Sequence, residues 1–122
     1  MKPNYEFTLP IFHDSLIYLF FDEQKFRKWI KEDTSYDVNK IGGIAGYSMW
    51  NTRGHETHFA IYVLPDCIET IFHESLHTAW YVLDNHGIKI DIDNHETLTY
   101  LQGYLANEII KYSKKYLKKK EK

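Results

Sequence analysis

A chain of 122 residues, 43% hydrophobic and 16% aromatic, carries enough apolar material for one folded core, which excludes a disordered ground state. Its longest apolar run, Leu16–Phe21, falls far short of the ~20 residues that span a bilayer, so no membrane-embedded function is expected. Seven lysines against Glu121 give the last twelve residues a charge of +6, so the net −2 leaves −8 on the rest, and this acidic body argues against general nucleic-acid binding. Cys67 is the only cysteine, which rules out an intrachain disulfide and makes the cytoplasm the expected compartment. Met1–Glu6 has no apolar segment of the kind a signal peptide needs.

In chain order, Tyr5–Leu9 and Ser15–Phe21 read as strands around a turn at Pro10–Asp14. Asp22–Glu32 has Phe26, Trp29 and Ile30 at helical spacing. Asp33–Lys40 is polar and loop-like. Ile41–Trp50 and Thr57–Leu64 read as two strands joined near Asn51-Thr52-Arg53-Gly54 in a hairpin. The glycine-rich Gly42-Gly43-Ile44-Ala45-Gly46 lacks the residues of a phosphate-binding loop and reads as a bulged or tightly packed strand.

Pro65-Asp66 opens a helix, with Asp66 and Glu69 in the spacing of a capping box. Ile68, Phe72, Leu76, Ala79 and Leu83 form its expected core stripe, and Gly87 its stop. Ile88–Ile92 is a short extended link. A last helix starts near Asp93-Asn94 with Leu98, Leu101, Leu105 and Ile109 inward. The order β-β-α-β-β-α-α predicts a single α+β domain over residues 1–122. A small antiparallel or mixed sheet would pack against the helix of residues 66–86 and the C-terminal helix. Residues 1–64 supply strands and one helix, 65–118 two helices, and 111–122 a basic, solvated helix end.

His73-Glu74-Ser75-Leu76-His77 is an H-E-x-x-H pentad inside the first of these two helices. Residues i and i+4 lie about 40° apart in azimuth, so His73 and His77 can reach one metal ion. Glu74 is turned about 100° from His73, where it can act as base toward a metal-bound water. A catalytic zinc takes three protein ligands and keeps one open position. Glu96, nineteen residues after His77, can supply the third from the first turn of the last helix. His95 is the alternative ligand, and a capping box with Asp93 is the alternative role for Glu96. Gly103, seven residues beyond Glu96, would let the two helices approach closely. His55-Glu56-Thr57 and His95-Glu96-Thr97 repeat an H-x-T triplet, but two-histidine phosphoesterase chemistry needs both on facing strands, and His95 opens a predicted helix.

Strand, H-E-x-x-H helix, glycine turn and a glutamate-bearing helix together resemble the zincin metallopeptidases, most closely the glutamate-liganded gluzincins in compact form. The stretch from His73 to Asp84, with Gly87-Ile88, Asn94-His95-Glu96 and Tyr100-Leu101, also resembles small uncharacterised phage and prophage H-E-x-x-H proteins. The resemblance covers roughly residues 57–110. It implies zinc held by His73, His77 and Glu96, with Glu74 as catalytic base. It implies a peptide or protein substrate laid along Thr57–Leu64 as the cleft's edge strand, in the host cytoplasm if the chain is phage-encoded. Gluzincins often place an Asp four residues after the liganding Glu, and here that position is Tyr100. Tyr81, Tyr100, Tyr104, His55 and His58 are the conceivable donors to an oxyanion. The rival readings are a non-catalytic zinc-binding protein-interaction module and a metal-free interaction domain. Oligomeric state is left open.

Overall fold

The structure is a computed structural model, and it describes residues 2–121. Its elements are strands β1 (Tyr5–Thr8) and β2 (Ser15–Phe20), helix α1 (Glu23–Asp33), a 3-10 turn (Val38–Lys40), strands β3 (Gly46–Arg53) and β4 (Glu56–Val63), and helices α2 (Ile68–Asn85) and α3 (His95–Lys120). The chain is therefore α+β, with a four-stranded mixed sheet in the order β1-β2-β4-β3. β1 and β2 are antiparallel, β2 and β4 parallel, and β4 and β3 antiparallel.

Side chains alternate across the pleat, so the central strands β2 and β4 feed two cores. On one face α1 sets Phe26, Trp29 and Ile30 against Phe20, Ala60 and Tyr62. On the other, Ile17, Leu19, Phe59, Ile61 and Val63 meet Ile71, Ala79, Val82 and Leu83 of α2 and Leu98, Leu101, Leu105 and Ile109 of α3. β4 is covered on both sides and reads as a continuous apolar run for that reason.

Helix ends are set by local chemistry. Asp22 caps α1 by accepting the backbone N–H groups of Gln24 and Lys25. α2 closes on Gly87 at φ +74°, with Ile88 N–H bonding Leu83 C=O and Gly87 N–H bonding Asp84 C=O. This is the Schellman pattern, in which glycine takes the left-handed position at no steric cost.

Several expectations shift. The capping box at Asp66 does not form: the N-cap is Cys67, which makes no side-chain cap, and Asp66 sits at φ +64° with its N–H donated to Ser113 Oγ. Cys67 is half-buried, its Sγ 3.1 Å from Thr70 Oγ1. Residues 41–45 are loop, and strand pairing begins only at Gly46; Arg27 holds the start of this loop by donating to the carbonyls of Ile41 and Gly42. The hairpin runs on to the Arg53–Glu56 pair and turns at Gly54-His55, with Gly54 at φ +62°. α3 starts one residue later than predicted, with Asn94 at its N-cap, so Glu96 is not at the capping-box position. The described basic end is continuous helix to Lys120, its lysines solvated while Tyr112 stacks on Tyr5 and Phe7 and Tyr116 packs against Phe21.

The largest correction concerns α2. Its buried residues are Ile71, Glu74, Ser75, Thr78, Ala79, Val82 and Leu83. Of the expected stripe only Ala79 and Leu83 are buried, while Phe72 is 45% and Leu76 39% exposed. Periodicity marks two adjacent apolar stripes on this helix and does not say which one meets the sheet.

Candidate functional site

The site is built on α2 and the neighbouring edge strand. His73 and His77 share one exposed helix face, and their Nε2 atoms stand 3.3 Å apart. Two ligands on a tetrahedral zinc, at about 2.0–2.1 Å each, are roughly 3.3–3.4 Å apart. The His73 side chain is 66% exposed and free for a ligand to approach.

Glu74 is rotated toward the sheet and is only 6% exposed. Ser48 Oγ lies 2.5 Å from Glu74 Oε1 and 3.2 Å from its carbonyl oxygen. The single hydroxyl proton goes to the nearer, carboxylate oxygen. Oε2 is left facing His73 Nε2 at 3.9 Å. The carboxylate is thus held by one oxygen and turned toward the histidines with the other.

Gly46 makes this possible. A Cβ there would overlap the Thr70 methyl and stand 3.0 Å from Glu74 Cγ and 3.1 Å from Oε2. Only a glycine lets β3 come this close to α2. The sequence reading of this stretch as tightly packed holds at Gly46, but the residue it serves, Ser48, was not anticipated. Its signal was present: Gly46 and Ser48 alternate on one face of a strand. Beside them, residues 43–46 with Glu69, Thr70, His73 and Glu74 line an open cleft of about 360 Å³.

Tyr81 continues the histidine row. Its ring stacks on His77 with centroids 6.2 Å apart, and burial together with the Glu74 charge raises its pKa. It therefore stays a protonated donor at neutral pH. Tyr47, on β3, is pushed up to about 12 by a hydrogen bond with Tyr36, then by burial and nearby charge including Glu74.

Other assignments from sequence fare differently. The described residues bring no third His, Cys, Asp or Glu together with His73 and His77 into a group that could hold a metal. Glu96 is exposed and lies about 160° around α3 from buried Leu98. It shares that side with Gly103, where a Cβ would meet nothing within 4 Å, so Gly103 does not mediate a close approach of the helices. α2 and α3 meet instead through their core residues, with one added bond from the Gln102 side-chain amide to Phe72 C=O. His95 Nδ1 lies 2.9 Å from Ile92 C=O, fixing that ring at the helix start. His58 is buried against the Tyr18 ring, tilted to it at 4.7 Å between centroids, with Nε2 3.2 Å from Glu56, and His55 lies in the hairpin turn. The edge strand is also reassigned. β4 is hydrogen-bonded on both sides, so the free edge beside α2 belongs to β3.

No protein-family model matches the chain, and searches of curated proteins and of solved structures return no significant match.

Proposed function

We propose that this protein is a zinc-dependent hydrolase acting on a peptide or protein substrate. The observation that carries this reading is the His73–His77 pair at the edge length of a zinc tetrahedron, with a buried, half-satisfied Glu74 carboxylate turned toward it. His73 and His77 would hold the ion, and Glu96 is the third ligand that the resemblance to gluzincins implies. For Glu96 to reach the pair, the first turn of α3 must reorient. That movement would have to release Ile88 and Ile90, which pack against the core, and the Asp91–Asn94 hydrogen bonds. Bound zinc would supply a water whose pKa is lowered to about 7.

The chain's own residues then have separate tasks. Glu74 Oε2, turned toward His73, would hold the proton given up by the attacking water and pass it to the leaving amine. Ser48 keeps Oε1 occupied, so only one oxygen turns over. Tyr81, held protonated, donates to the oxyanion that develops on the scissile carbonyl. The unpaired edge of β3 hydrogen-bonds an extended substrate past the cleft.

Glu74→Gln tests the mechanism. The variant should retain zinc, because the liganding imidazoles are untouched, and should lose at least 100-fold of the peptide hydrolysis of the wild type. Equal turnover by the two proteins would refute Glu74 as base.

A further inference from the structure

The two imidazoles form one edge of a tetrahedron, and the described residues of a single chain do not complete it. A tetrahedron's opposite edges are related by a two-fold axis through its centre. A second copy of the same chain, related by that axis, contributes the missing edge with the same two residues. Two-fold pairs using one self-complementary patch are the commonest form of oligomer.

We infer that His73 and His77 of two copies of this chain share one zinc ion, closing a four-imidazole site between two α2 helices. The inference rests on the proposed zinc binding by His73 and His77 and departs from that reading over what completes the set. The pair lies on the outer face of α2, where a second helix can reach it. Beside it Leu76, and Trp80 at 48% exposed, offer apolar surface for the partner to cover.

That surface cannot hold a dimer alone. The exposed parts of Phe72, Leu76 and Trp80 amount to on the order of 250 Å² per copy, since a whole large aromatic contributes roughly 150–250 Å². A stable interface takes about 800 Å² from each partner. The association must therefore depend on the metal. Four protein ligands leave no open position for water. The dimer is then a closed, inactive form, and hydrolysis belongs to the single chain with Glu96 as third ligand.

The test measures zinc per chain by elemental analysis and mass by light scattering, on the full chain with added zinc and with chelator. Wild type, Glu96→Ala, His77→Gln and Leu76→Asp/Trp80→Asp are compared. One zinc per two chains is expected, with twice the 14.6 kDa chain mass. Chelator should return the protein to single chains. Glu96→Ala should match wild type in zinc per chain and in mass, His77→Gln should lose both zinc and dimer, and the double aspartate variant should weaken dimerisation at least tenfold. Circular dichroism checks that each variant is folded. One zinc per chain on single chains, lost in Glu96→Ala, would overturn the shared site and leave the hydrolase reading standing. A dimer that survives chelator, or one zinc per chain within a dimer, would also overturn it. No zinc at all would remove both.

Discussion

Gly46 is the residue on which the site's geometry turns. Its neighbours leave no room for a methyl group, and the obstruction is the Thr70 methyl together with the Glu74 stem. Gly46→Ala should cost about 1–3 kcal/mol in urea unfolding, the usual penalty for overpacking. Removing the obstruction should restore part of it, so Gly46→Ala/Thr70→Ser should be more stable than the two single effects added together. An additive result would place the strain elsewhere. Ser48 shows why one residue can matter beyond its size. It satisfies one oxygen of a buried carboxylate, and burying a charge without a partner is costly.

Between elements, the tie that joins the β1–β2 turn to the end of α2 is ionic. His86 Nδ1 lies 2.7 Å from Val82 C=O and Nε2 3.0 Å from Asp14 Oδ1. Burial alone would pull the imidazole down, but the hydrogen bonds to Val82 and Asp14 outweigh it and raise its pKa. The hydrogen bond with His86 lowers the pKa of Asp14. His86 therefore contributes fully below its ordinary 6.5, and its contribution is lost as pH rises through the raised folded value. Asp14 contributes fully above its ordinary 3.8 and loses its contribution as pH falls through the lowered folded value. Melting curves of wild type and Asp14→Asn should therefore differ most between about pH 4 and 6.5 and converge toward pH 9. A difference that grows with alkalinity would show that the pair is not what Asp14 stabilises. The Schellman turn at the next residue gives a second check. Gly87→Ala, at φ +74°, should lower stability by about 1 kcal/mol with no change in the sheet.

Across the whole molecule, the C-terminal half of α3 closes the far end of the sheet. Tyr112 stacks on Tyr5 at 4.7 Å and on Phe7 at 5.5 Å, and Ser113 accepts the Asp66 N–H at the entrance to α2. Tyr112→Ala should cost about 1–3 kcal/mol, less than a fully buried aromatic because its ring is half-exposed. Replacing Lys114, Lys115, Lys118 and Lys119 by Gln should change stability by less than about 0.5 kcal/mol, since all four are solvated. The opposite ranking would make the charge, not the rings, the purpose of this end. The described residues include no helix long and apolar enough to cross a membrane.

How much of this was legible beforehand follows from the range of the interactions involved. Element types and order, the Gly87 stop, the inward leucines of α3 and the histidine pair on one helix face all follow from contacts within four residues, which spacing alone reports. The buried face of α2 does not. Phe72 and Leu76 are as apolar as Ile71 and Val82, and only the position of the sheet and of α3 decides which row is covered. The free edge of β3, the Ser48–Glu74 bond across 26 residues and the outward side of α3 that carries Glu96 are likewise decided by packing. By itself the sequence determined that two imidazoles would share a helix face with a glutamate beside them, because the helical repeat enforces it. Only the tertiary structure decided that the glutamate is buried and bonded, and that the described residues of one chain bring no third ligand to the histidines. Those facts depend on which distant segments meet, and no local period encodes that.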